Sequence, residues 1–137
     1  MKTILVAEDR DASRELLLAV LTAAGYLVVA AVDGQDAVEK VSDRPCDLAI
    51  VDLNMPRLDG IGLLRWMRGD PHHEQVPVVA LTANAMEGDR DRALSLGFSE
   101  YITKPVNLSL LRREVARLLD AAELGAVKLD TGSEKTI

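Results

Sequence analysis

The sequence predicts an α/β fold in which a parallel sheet of five strands is covered by helices on both faces. Short aliphatic runs recur along the chain without polar–apolar alternation, the pattern of strands buried on both sides. Between them lie stretches whose apolar residues recur at helical spacing. Strict strand–helix alternation implies parallel pairing through right-handed crossovers. A length of 137 residues, 48% of them hydrophobic, fills one core, leaves no room for a second domain and excludes disorder as the main state.

Ile4-Leu5-Val6-Ala7 forms the first strand, and Leu16, Leu17, Val20 and Leu21 give the following helix one apolar face. Asp11 suits the start of that helix and Gly25 its stop. Leu27-Val28-Val29-Ala30 is the second strand, followed by a shorter face of Ala37, Val38 and Val41. Leu48-Ala49-Ile50-Val51 is the third, followed by Ile61, Leu64 and Met67 or Arg68. Val78-Val79-Ala80-Leu81 is the fourth. The helix after it, Glu87 to Leu96, is the weakest, being charged and carrying Gly88. Ser99-Glu100-Tyr101-Ile102 is more polar and is placed at an edge. Leu108, Leu111, Val115 and Leu118 make the clearest face, with Asn107 as its N-cap. From Gly125 onward the chain turns polar and reads as a loose tail or the start of a linker.

Composition narrows the function. A net charge of −6 makes direct binding to nucleic acid or an anionic membrane unfavourable. Cys46, the single cysteine, cannot form an internal disulfide, which favours a reducing cytoplasm. The first strand meets Glu8-Asp9 too soon for a signal peptide, and no apolar run approaches the ~20 residues of a membrane span.

In open parallel sheets, ligands bind beyond the carboxyl ends of the strands. There the sequence places Glu8-Asp9 after the first strand and Asp52 after the third. Thr82-Ala83-Asn84 follows the fourth and Thr103-Lys104-Pro105 the fifth. Carboxylates at close range repel and are eased by a hard divalent cation such as Mg²⁺, which sits on one or two carboxylates beside a phosphate. Glu8, Asp9, Asp52 and Lys104 together carry two negative charges, which one divalent ion neutralises. The neutral pocket can then accept a phosphoryl group, and a carboxylate is itself a phosphoryl acceptor. Each residue alone reads as an ordinary loop acid, cap hydroxyl or surface lysine; their joint placement at four strand ends points to phosphoryl chemistry.

These residues stand in the motifs Glu8-Asp9, Asp52-Leu53-Asn54-Met55-Pro56-Arg57-Leu58-Asp59-Gly60, Ala80-Leu81-Thr82-Ala83 and Tyr101-Ile102-Thr103-Lys104-Pro105. Thr82 lies 30 residues and Lys104 52 residues after Asp52. In residue, order and interval the chain resembles the receiver domain of two-component response regulators, over roughly Lys2 to Asp120. The resemblance implies a flavodoxin-like (βα)5 doubly wound sheet of strand order 2-1-3-4-5, with residues 1–122 as the receiver and 123–137 as a polar tail or linker. It implies that Asp52 is the phosphoacceptor, and that Mg²⁺ (or Mn²⁺) is held by Glu8, Asp9, Asp52 and the Asn54 main-chain carbonyl. Lys104, Thr82 and the Ala83 amide would bind the phosphoryl oxygens, across a cis Lys104-Pro105 peptide. Thr82 and Tyr101 would form the switch, Tyr101 swinging inward on phosphorylation, with the helix from Glu87 to Leu96 as the mobile element. Asn54 and Asn84 would flank the hydrolytic water and tune the phosphoryl lifetime.

The implied function is a signalling switch rather than an enzyme, limited to self-catalysed phosphoryl acceptance and autodephosphorylation. A histidine kinase or histidine phosphotransfer protein would supply the phosphoryl group. The output would be a protein contact through the fourth helix, fifth strand and fifth helix, in a monomer or weak dimer. Met1 directly before the first strand favours a stand-alone regulator over a receiver from a hybrid kinase or phosphorelay. A Mg-dependent aspartyl-nucleophile phosphatase would want an acid at Asn54. A nucleotide- or flavin-binding module would want a glycine- or hydroxyl-rich loop where Glu8-Asp9-Arg10-Asp11 stands. An interaction-only receiver with a dead site would not keep the full residue set.

His72 and His73, among Pro71 and acids, are expected in an exposed loop. Trp66 and Cys46 are expected to pack, and Arg112, Arg113 and Arg117 to form a solvated face open to an acidic partner.

Overall fold

The computed structural model describes the backbone of residues 1–136 and the side chains of residues 1–125. The elements run β1 (Thr3–Ala7), α1 (Asp11–Ala23), β2 (Leu27–Ala31), α2 (Gly34–Asp43), β3 (Leu48–Asp52), α3 (Gly60–Gly69), β4 (Val78–Thr82), α4 (Asp89–Leu96), β5 (Glu100–Thr103) and α5 (Leu108–Thr136). All pairings are parallel, in the order β2-β1-β3-β4-β5. The expected sheet and its order are both present.

Successive side chains of a strand point to opposite faces, so each strand feeds two cores. Ile4, Val6, Leu48, Ile50, Val79 and Leu81 pack with Leu17 and Leu21 of α1 and Leu111 and Val115 of α5. Leu5, Ala7, Ala49, Val51 and Ala80 pack with Ala37 and Val41 of α2, Leu63, Leu64 and Met67 of α3, and Ala93 of α4. β3 and β4 are buried at every residue, which is why their sequences show no alternation. At 50% exposed, Leu16 leaves the apolar face expected of α1 and lines a groove with Pro105 and Val106.

Several details differ from expectation. Asp11 is the first residue of α1 rather than its cap; Arg10 holds the cap position, and Asp11 bonds Arg14 at 2.5 Å instead. Asn107 does cap α5, accepting from the Leu110 N–H at 3.0 Å. The helix expected from Glu87 begins at Asp89, because Gly88 adopts a left-handed conformation (φ 85°) and Asp89 folds back to accept from the Met86 N–H. β5 is at the sheet edge as expected, yet Glu100, Tyr101 and Ile102 are buried beneath the flanking helices. The backbone stays helical through the segment expected to be a loose tail; most of the side chains of residues 123–137 lie outside the described residues.

His73 corrects an expectation. It is 1% exposed rather than in an open loop. The Cys46 N–H donates to its Nε2 at 3.2 Å, so Nδ1 carries the proton and donates to Asp70 at 2.5 Å. The ring lies 5.6 Å from that of Trp66. Tertiary packing buries this histidine, while His72 is exposed as expected. Trp66 and Cys46 pack as expected, and burial pushes the Cys46 thiol up to about 12.

Candidate functional site

The parallel order places β1 and β3 side by side, with β4 and β5 beyond β3. Their carboxyl ends therefore gather the residues that follow them in sequence. Glu8, Asp9 and Asp52 each offer a carboxylate oxygen, all within 4.8 Å of one another. From the far side, the Lys104 Nζ donates to Glu8 at 2.5 Å and to Asp52 at 2.9 Å. The Lys104-Pro105 peptide is cis.

Glu8 is fully buried, Asp52 4% exposed and Thr82 3% exposed, while Asp9 faces solvent. Burial pushes the Glu8 carboxyl up to about 7, aided by Asp52 and opposed by Lys104. Burial works the same way on Asp52, but the neighbouring Glu8 carboxyl, the Lys104 ammonium and the Asn54 N–H outweigh it and hold Asp52 below the usual carboxylate range. Burial also opposes the Lys104 ammonium, whose pKa nonetheless rises through its bonds to Glu8 and Asp52. Among the described residues, Glu8 Oε2 is the buried side-chain oxygen with no hydrogen-bond partner. An orphaned acceptor costs roughly 1–3 kcal/mol, and a cation at this acidic cluster would relieve it. The donor set is all oxygen, with one carboxylate open to water, and this suits Mg²⁺.

Thr82 ends β4 and accepts from the Asn84 N–H at 3.2 Å. Ala83 is exposed beside it. Asn54, Asn84, Thr82 and Tyr101 border a cleft of about 300 Å³ between α3 and α4. The sheet edge thus gathers Glu8, Asp9, Asp52 and Lys104, with Asn54 bonded to Asp52, while Thr82, Asn84 and Tyr101 line the cleft beside α4. Tyr101 is 8% exposed and packs with the buried cluster on the α3–α4 face. Packing against the α3–α4 face and an Arg90 guanidinium bonded to the Tyr101 carbonyl at 3.1 Å hold that segment in place.

Sequence reasoning missed three groups. Arg90 of α4 pairs with Glu100 at 2.6 Å, and Arg117 of α5 reaches the same carboxylate at 3.5 Å. This tie spans the fourth helix, fifth strand and fifth helix. Arg14 donates to the Glu8 carbonyl at 3.0 Å. Arg57 pairs with Asp33 at 2.7 Å, 24 residues away. Only the Arg14 contact, at i+6 from the acid, had a local signal.

A family model described as "Response regulator receiver domain" matches residues 4–116. The chain belongs to that family. Receiver domains are the switches of two-component signalling; they bind Mg²⁺ at an acidic site and interact with histidine kinases or phosphotransfer proteins. The chain is similar to Sensor protein EvgS of Escherichia coli (strain K12), 38% identical over 122 residues, covering 89% of this chain and 10% of that protein. It thus spans about a tenth of that relative's length. Similarity to the polar-differentiation response regulator DivK of Brucella anthropi is 29% identity over 107 residues, covering 78% and 87% of the two chains. Among solved structures, the receiver domain of sensor histidine kinase PA1611 from Pseudomonas aeruginosa PAO1 has magnesium coordinated in its active-site cleft. It superposes with a TM-score of 0.79 at 34% identity, covering 87% of this chain and 98% of that one. No helix among the described residues is long and apolar enough to cross a membrane.

Proposed function

We propose that this receiver accepts a phosphoryl group on Asp52 from a phosphohistidine of a kinase or phosphotransfer protein, and that the change controls a protein partner through α4-β5-α5. The observation that carries this reading is the Lys104 ammonium bridging Glu8 and the buried Asp52 beside Asp9. Glu8, Asp9, Asp52 and the Asn54 carbonyl would hold Mg²⁺ (or Mn²⁺), which when bound offsets the charge of an incoming phosphoryl group.

An Asp52 carboxylate oxygen attacks phosphorus. The P–O bond forms as the P–N bond breaks, and the imidazole leaves with the nitrogen electron pair and takes up a proton. Lys104 exchanges its hydrogen bond to Asp52 for one to a phosphoryl oxygen. Thr82 turns its hydroxyl from the Asn84 N–H toward another oxygen, with the Ala83 N–H beside it. Tyr101 is buried beside them, and Thr82 and the thinly packed α4 rearrange around it. Asn54 and Asn84 flank the path of water to the acyl phosphate and set its lifetime. No further catalysis is assigned; the chain acts as a monomer or weak dimer.

A place as the receiver of a phosphorelay of the hybrid-kinase kind is the second reading, supported by higher identity to the matched segment of EvgS than to DivK.

Incubation with acetyl phosphate and Mg²⁺ should add the mass of one phosphoryl group to the wild type and nothing to Asp52→Asn. Beryllofluoride should shift the amides of Thr82, Ala83 and α4. Equal labelling of Asp52→Asn would sink the reading.

A further inference from the structure

The loop between β3 and α3 carries the Asn54 carbonyl and departs from the sheet for seven residues, Leu53 to Asp59. Its near end is tied down: the Leu53 N–H bonds the Leu81 carbonyl at 2.9 Å, and the Asn54 N–H bonds Asp52 at 2.9 Å. The far end is unusual. Arg57 has φ 65°, the one positive value among the described non-glycine residues. A residue with a Cβ resists this conformation and holds it only where its surroundings impose it.

The surroundings are the loop between β2 and α2. The Arg57 Nε donates to Asp33 Oδ2 at 2.7 Å. The Gly34 N–H donates to the Leu58 carbonyl at 3.0 Å. A Cβ at Gly34 would stand 2.1 Å from that carbonyl oxygen, so only glycine admits the approach. The anchor is itself rigid. Asp33 is 5% exposed, and its other oxygen caps α2 by accepting from the Asp36 N–H at 2.7 Å. Asp36 in turn accepts from the Val32 N–H at 3.0 Å, and Lys40 bonds the Ala30 carbonyl at 2.7 Å.

We infer that the Asp33–Arg57 ion pair is a strap that holds the β3–α3 loop, and with it the Asn54 carbonyl, in the position that binds the divalent cation. The inference rests on the proposed metal site. Arg57 is a positioning residue: it acts through the loop and touches neither metal nor phosphoryl group. The strap opposes simple electrostatics. A guanidinium on the loop that carries the metal's carbonyl ligand repels a divalent cation, so its charge alone weakens metal binding. Its deletion should therefore tighten binding if charge is all that matters, and weaken binding if the loop must be held.

The sign decides, and it can be read without any phosphorylation. Mg²⁺ alone is titrated into the full chain while the amide shifts of Asp9 and Asn54 are followed by NMR, with thermal melts alongside. Arg57→Ala should raise the Mg²⁺ Kd on the order of tenfold, the lower range for removal of an outer hydrogen-bond partner of a metal site. Asp33→Asn, which keeps an oxygen for the α2 cap but loses the ion pair, should do the same. The double variant should be no weaker than either single one, because both remove one interaction. Arg57→Gly separates the ion pair from backbone strain. It relieves the positive φ, so restored affinity in that variant would overturn the strap, whereas affinity as weak as in Arg57→Ala supports it. An unchanged or lower Kd in Arg57→Ala also overturns it while leaving the metal site intact. A wild type whose Asp9 and Asn54 amides ignore Mg²⁺ would instead bring down the metal site, and the strap with it.

Discussion

The two ends of the sheet handle buried polarity in opposite ways. At the carboxyl end, Glu8 is fully buried with one oxygen unpartnered, and Asp52 and Glu8 share a single lysine. At the amino end, His73 is just as buried, yet Asp70 and the Cys46 N–H satisfy both ring nitrogens. Beside it, Arg68 donates to the carbonyls of His73, Val76 and Gly97 at 3.2, 2.8 and 2.9 Å, tying the end of α3 to the turn before β4 and to the end of α4. Completed hydrogen bonding serves stability, while incomplete hydrogen bonding keeps a site ready for a ligand. Burial of a charged group therefore says little about its role until its partners are counted.

A pair of substitutions should separate the two ends most sharply. Asp52→Asn should abolish phosphoryl acceptance outright and leave the melting temperature unchanged or raised, since it removes a charge facing Glu8. His73→Ala should do the reverse. It empties a packed site and strips Asp70 and the Cys46 N–H of their partner, a loss of about 3 kcal/mol. Phosphoryl acceptance should survive at temperatures where the variant is folded. Denaturant melts and intact mass read both variants. A large stability loss in Asp52→Asn, or none in His73→Ala, would erase the distinction.

Cys46 offers a finer probe of the amino end. Its thiol is 3% exposed and burial raises it to about 12, so almost no thiolate exists near neutral pH. Labelling by a thiol reagent at pH 8 should await opening of the structure, and His73→Ala should accelerate it by the factor its melt predicts. Rapid labelling of the folded wild type would show that this end opens locally, without the cooperativity its bonding implies.

How much of this was legible in the sequence follows the same division. The sheet could be read because buried strands and amphipathic helices differ locally in pattern. The carboxyl-end site could be read because each residue follows its strand directly, so topology alone assembles Glu8, Asp9, Asp52, Thr82 and Lys104. The amino-end latch could not: Cys46 and His73 are 27 residues apart and meet only through packing. Nor could the side on which Tyr101 rests, because a rotamer answers to the packing of α3 and α4. Arg57 lies within the Asp52-to-Gly60 motif, but its partner Asp33 lies on another loop and its left-handed backbone leaves no mark in residue type.

Asp33, like Asp52, is a buried carboxylate at the carboxyl end whose oxygens both have partners. The Arg57 guanidinium, with the Asp36 N–H, holds it below the usual carboxylate range. A carboxyl group whose pKa is depressed by folding stabilises the native state fully above its unfolded pKa. That contribution fades as pH falls through the folded value. The wild type should therefore melt above Asp33→Asn at neutral pH, and the gap should narrow as pH falls below the ordinary carboxylate range, about 4. The effect should be the smallest of those considered, because Arg57 is mostly exposed and water screens the pair. A gap that stayed constant through the acid range would mean that the pair orders the loop through geometry alone. Asp33 would then belong with the amino-end groups, whose worth lies in completed hydrogen bonds rather than charge.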